Sequence, residues 1–113
     1  MKKFLTLMLF LAAFNSVAAV NCRGKISNVY VGVDGQVVLF TSWRNAYHTV
    51  CSVNGEWKGV SVDVCKSWLS IAQTAQVSKT DTIMRYQLNA CNEVGIYNAA
   101  PAPSYLMLYG LSF

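Results

Sequence analysis

Three features of the sequence predict a mainly β domain with a single helix. Val, Tyr and Trp recur in short runs whose side chains alternate every second residue. One segment, residues 62–77, changes to steps of three and four. Asp34-Gly35 and Asn54-Gly55 stand between β-rich runs, where they act as turn signals. The elements then come in the order strand, strand, strand, helix, strand, strand.

The first strand is expected over residues 24–33, with Val29, Val31 and Val33 on one face and Asn28, Tyr30 and Gly32 on the other. Asp34-Gly35 suits a type I′ turn, in which both central residues need positive φ. The second strand covers residues 36–43. After a polar break at residues 44–46, the third covers residues 47–53 and carries Cys51. Asn54-Gly55 makes a second turn and leads into a short extension through Trp57.

Ser61 is placed as a helix N-cap, with Asp63 in the first turn, where the helix dipole favours an acid. The stripe of Cys65, Trp68, Leu69, Ala72 and Ala75 or Gln76 predicts an amphipathic helix of about four turns. Trp68 and Leu69 lead its buried side. Residues 82–88 return to period two, with Met84, Tyr86 and Leu88 on one face. Residues 92–103 are a loop holding two prolines. Residues 104–113 form a last strand, with Tyr105, Met107, Tyr109, Leu111 and Phe113 along one side.

This order is that of an OB-fold, a Greek-key barrel with its helix between the third and fourth strands. The expected fold is thus a small five-stranded antiparallel OB-like barrel, β-β-β-α-β-β. Closure would remove exposed edges from a chain rich in β propensity. A curved sheet with the helix across one face has the same element order and is the alternative.

The N-terminus sets the compartment. A cationic Met1-Lys2-Lys3, an apolar run over residues 4–14 and the small residues Val17, Ala18 and Ala19 have the layout of a secretory signal peptide. The apolar run is too short to span a bilayer, which needs ~20 residues. Residues 1–19 are therefore expected to be a signal peptide, and residues 20–113 a single domain exported to the periplasm or beyond. Asn21 before Cys22 is a poor fit to a lipoprotein site, which wants a small residue there.

Cys22, Cys51, Cys65 and Cys91 make an even set in a small exported domain, so two disulfides are expected. Their intervening stretches of 28, 13 and 25 residues contain no close ligand pair of the zinc type. Cys51 and Cys65 bracket the passage from the third strand to the helix, and a bridge between them would fix the helix to the barrel. Cys22–Cys91 would then tie the start of the domain to the end of the fourth strand.

Composition narrows function. Without Lys2 and Lys3 the chain carries a net charge of +2 and no basic cluster, a weak footprint for nucleic acid. Its low charged fraction and many β-forming residues argue against disorder. The single histidine, His48, reads as an exposed strand residue. It lies three positions from Cys51, so in a regular strand the two point to opposite faces and make no nucleophile pair. The acids are scattered, and no phosphate loop or metal helix is present. No enzyme activity, cofactor or metal is expected.

Trp43, Tyr47 and Trp57 cluster around the second and third strands, with Arg44 and His48 beside them. In an OB-fold this surface is the usual ligand face, and Trp and Tyr suit stacking on sugars or bases. These five residues are the expected ligand-binding set, the aromatic rings stacking and Arg44 and His48 hydrogen bonding. Trp43 and Trp57 could equally fill the ends of a small barrel. The C-terminal alternation is similar to that of outer-membrane barrels, but those need at least eight strands.

The segments Cys22-Arg-Gly-Lys-Ile and Cys65-Lys-Ser-Trp-Leu, with Cys51 and Cys91, resemble a group of small uncharacterised exported proteins of Gram-negative bacteria. The resemblance implies the cysteine framework and no catalytic residues. In element order and compartment the chain is also similar to the B subunits of AB5 toxins, exported OB-folds that form pentamers and bind glycans. The expected function is a non-enzymatic exported binding module for a glycan, peptide or protein. The alternative is a structural subunit of a homo-oligomer or larger secreted complex.

Overall fold

The computed structural model describes residues 18–110. Most of the expected signal peptide and the last three residues of the expected final strand lie outside them. The first expected strand, residues 24–33, corresponds to β2 (Ile26–Val31), and a strand the alternation does not announce, β1 (Val20–Gly24), precedes it and joins it at Lys25. β3 (Gln36–Thr41), β4 (Ala46–Ser52), helix α1 (Val62–Ser78), β5 (Thr82–Tyr86) and β6 (Tyr105–Leu108) follow. All strand pairs are antiparallel, and they form two three-stranded sheets, β1-β5-β6 and β2-β3-β4.

The expected single five-stranded barrel is thus corrected to two sheets. Among the described residues no ladder joins β4 to β6. A lone parallel bridge, His48 to Tyr97, borders β4 instead. The stretch that would carry β6 back toward β4 holds Pro101 and Pro103, which have no N–H to donate to a ladder.

Two irregularities reset the side-chain parity that alternation alone predicts. The β2–β3 register shifts between Ile26 and Asn28. Ile26 is therefore buried and Val29 packs against the core, although they are an odd number apart. Val31 and Val33, expected on one face with Val29, are 44% and 106% exposed, since they lie at the last residue of β2 and in the turn beyond it. The β3–β4 register shifts between Val37 and Val38. As a result His48 and Cys51 are both buried, not on opposite faces of β4.

The turns also differ from the dipeptide signals. Gly35 N–H donates to Gly32 O at 2.9 Å, and Gly35 lies at φ 93° while Asp34 keeps negative φ. This is a turn followed by a left-handed glycine, the longer hairpin solution rather than type I′. The type I′ geometry occurs at Lys58-Gly59, with φ of 48° and 88° between the paired Trp57 and Val60.

Helix α1 matches its expected stripe. Ser61 Oγ accepts from Val64 N–H at 3.2 Å, and the buried residues are Cys65, Trp68, Ala72 and Ala75. The helix packs on β2, β3, β4 and β6. The disulfides are Cys22–Cys91 and Cys51–Cys65. In a chain-entropy account each stabilises the domain by ~3–4 kcal/mol, the longer loop gaining more. They mark a non-reducing compartment. Among the described residues no helix is long and apolar enough to cross a membrane.

Candidate functional site

The five residues expected to bind a ligand do not form one face. His48 is fully buried, so the expected exposed histidine is corrected to a core residue. It pairs with Leu39 in the ladder, and its Nε2 lies 3.1 Å from Thr41 Oγ1. Trp43 is half-buried and packs against the core, its ring centroid 5.1 Å from His48 and 5.9 Å from Tyr86. Burial, and to a lesser degree the Arg44 charge, pull His48 down to a pKa of about 4. Burial pushes the fully buried Tyr86 phenol well above its usual range. Trp43 Nε1, His48 Nδ1 and the Tyr86 hydroxyl are buried without a hydrogen-bond partner among the described residues.

Arg44 and Lys58 serve the fold. Arg44 Nε donates to Val94 O at 2.6 Å, and Lys58 Nζ donates to Asn98 O and Ala100 O at 2.9 and 2.7 Å. Both hold the strap of residues 91–100 across the edge of β4. Trp57 is half-buried, with the Lys58 ammonium 4.7 Å above its ring.

Tyr47 is the one member of the expected set that belongs to an aromatic surface, and its neighbours are different from those expected. Phe40 and Tyr47 pair across β3 and β4, with ring centroids 5.0 Å apart. Tyr30, from β2, lies 5.8 Å from Tyr47. Tyr97, from the strap, lies 6.0 Å from Tyr47 with its ring within 13° of parallel. Tyr30 is 43% exposed and Tyr97 is 49% exposed. Segments far apart in the chain thus build one platform of three tyrosines and a phenylalanine.

Tyr97 is held there at a conformational cost. Its φ is 48°, in the left-handed region that a bulky residue rarely adopts. The surroundings fix it: Tyr97 N–H donates to Tyr47 O at 2.8 Å, and Tyr97 O accepts from Thr49 N–H at 3.1 Å. Thr49 Oγ1 donates to Asn98 Oδ1 at 2.9 Å. A strained residue over-determined by its neighbours, with an exposed ring, is a pointer to function. Sequence reading missed it because residues 92–103 read as a plain loop. Tyr30 was on the polar side of the alternation, and its partner ring could be found only through the β2–β3–β4 register.

A cleft with a volume of about 510 Å³ lies elsewhere. It opens between the Lys58–Gly59 turn, the start of α1 at Ser61 and Val64, and Pro101 to Ser104, with Trp68 on its wall. Its only charged group is Lys58, whose ammonium is engaged by carbonyls. Among the described residues no group of His, Cys, Asp and Glu could hold a metal ion. No protein-family profile, curated protein or solved structure matches this chain.

Proposed function

We propose that this protein is an exported, non-enzymatic binding module that engages its ligand through the Tyr30, Phe40, Tyr47 and Tyr97 platform. The observation that carries this is Tyr97, a strained residue whose ring is fixed at the surface parallel to Tyr47. Tyrosines supply flat contact area with a polar tip at low entropic cost, which suits a recognition surface. The two disulfides and the signal-like N-terminus support export. The one histidine is a core residue and the four cysteines are bridged, so neither an imidazole base nor a thiol nucleophile stands free. The strand order supports an OB-like reading, with a long bent first strand shared between sheets and a gap where β4 would meet the last strand.

An array of glycans and peptides tests this, probed with the wild type, Tyr97→Ala and Val64→Arg. The first variant strips the platform, and the second fills the cleft beside α1. The wild type and Val64→Arg are expected to bind the same probes, and Tyr97→Ala to lose them. Binding unchanged by Tyr97→Ala, or lost only in Val64→Arg, would move the site to the cleft. A wild type that bound no probe would count against the binding role itself and favour the subunit reading, which mass measurement in solution would then show as an oligomer.

A further inference from the structure

The tyrosine platform has a distinct electrostatic setting. Aromatic ring faces carry negative potential and attract cations. Elsewhere the chain satisfies this internally: the Arg23 guanidinium lies 3.9 Å over the Tyr109 ring, and the Lys58 ammonium lies over Trp57. No such cation lies over Tyr30, Tyr47 or Tyr97 among the described residues. A negative charge stands at the end of β2, in the turn that follows Tyr30 and Val31. Asp34 Oδ1 sits 3.2 Å from the point where a side chain on Gly32 would begin. Gly32 follows the end of β2 directly, so this carboxylate lies at the end of the strand that carries Tyr30. The Tyr30 hydroxyl is raised above its usual range by desolvation, then by Tyr97, Tyr47 and Asp34, so the Asp34 carboxylate is close enough to act on Tyr30. Arg44 and Lys58, the cations on the strap side, are turned to backbone carbonyls.

Shape selects among cations. Neither the cleft beside α1 nor the one between Lys25 and Gln76 is lined by any of the platform's aromatic residues. An exposed surface of tilted rings, with Tyr30 and Tyr97 43% and 49% exposed, suits a group carried on a larger partner. It also suits a planar, weakly hydrated cation better than a compact ammonium.

We infer that the platform docks an arginine side chain presented by a partner protein, the guanidinium lying against the tyrosine rings with its charge met by Asp34. This rests on the binding-module reading and names the chemistry of the partner. It also predicts that anionic ligands are poor ones, since the platform offers them no free cation.

The test is an NMR titration of tyrosine ring resonances in the disulfide-bonded protein. Three Gly/Ser peptides of equal length are used, carrying spaced arginine, lysine or citrulline; citrulline keeps the planar shape and loses the charge. A neutral chitin trisaccharide is the fourth probe. The arginine peptide is expected to shift Tyr30, Tyr47 and Tyr97 saturably, and the citrulline peptide to bind about tenfold more weakly or worse. Asp34→Asn, an exposed turn change, should weaken the arginine peptide several-fold and reduce its salt dependence. Citrulline or lysine binding as tightly as arginine would overturn the inference. So would Asp34→Asn without effect, or no shift with the arginine peptide. If the trisaccharide alone shifts the three tyrosines, the arginine inference fails and the platform reading stands. If no probe shifts them and array binding survives Tyr97→Ala, both fail.

Discussion

Trp43→Ala lowers stability by about 3 kcal/mol, whereas Trp57→Ala costs roughly 1 kcal/mol. The asymmetry follows from where the two indoles sit. Trp43 packs against the core, and its ring touches the fully buried His48 and Tyr86. Removing it opens a cavity between the sheets that two bridged ends of the chain cannot close. Trp57 lies on the short type I′ turn and shares its ring with the Lys58 ammonium. Thermal melts with disulfides intact read the difference, on the order of 15 °C for the first variant and a few degrees for the second. Trp43→Phe should recover most of the loss, because it refills the space and removes an indole N–H that has no partner. Equal melting temperatures for Trp43→Ala and the wild type would return Trp43 to the surface and restore it as a ligand contact.

Acid weakens the fold through His48. Its folded pKa of about 4 is below its ordinary value of 6.5. Below pH 6.5 the unfolded chain takes up a proton that the folded chain refuses, so stability falls with pH down to about 4 and then levels off for this group. The shift corresponds to about 3 kcal/mol between neutral pH and the end of that window. Asp81, held by Lys25 and Arg23, has a lowered pKa and acts below the ordinary carboxylate value, outside the histidine window. Urea midpoints measured from pH 7 to 4 should fall steadily in the wild type and stay nearly level in His48→Gln. A level wild-type curve over this range would mean that His48 is solvated and titrates normally.

The helix and the disulfides were legible because each depends on local signals or on counting. Ser61, Asp63 and the stripe through Cys65, Trp68 and Ala72 fix α1 without tertiary information. Cys51 and Cys65 bracket one connection, which leaves Cys22 and Cys91 for each other. The sheet was legible only in part. Alternation tells which residues share a face until a bulge intervenes, and the bulges near Ile26 and Val38 carry no Gly or Pro to announce them. That is why alternation alone turns His48 away from Cys51 and out of the core. Lys58-Gly59 took the tight turn in place of Asn54-Gly55, since the pairing of Trp57 with Val60 overrides the stronger dipeptide preference. The binding set was least legible. Trp43 and Arg44 are near Tyr47 in sequence, but the turn at residues 42–45 directs the indole inward and Arg44 toward Val94. Tyr97 reaches Tyr47 only because Lys58, Arg44 and Cys91 bind the strap to the domain.

The central claim is that Tyr30, Tyr47 and Tyr97 act together as one exposed ligand face. Tyrosine nitration mapped by peptide mass, with and without the tightest array probe, tests it most directly. In the free protein Tyr30 and Tyr97 should nitrate readily, and the fully buried Tyr86 should not. With the probe bound, Tyr30, Tyr47 and Tyr97 should be protected together, while Tyr105 and Tyr109 react as before. Protection that spared these three, or that fell on Tyr105 and Tyr109 instead, would contradict the account.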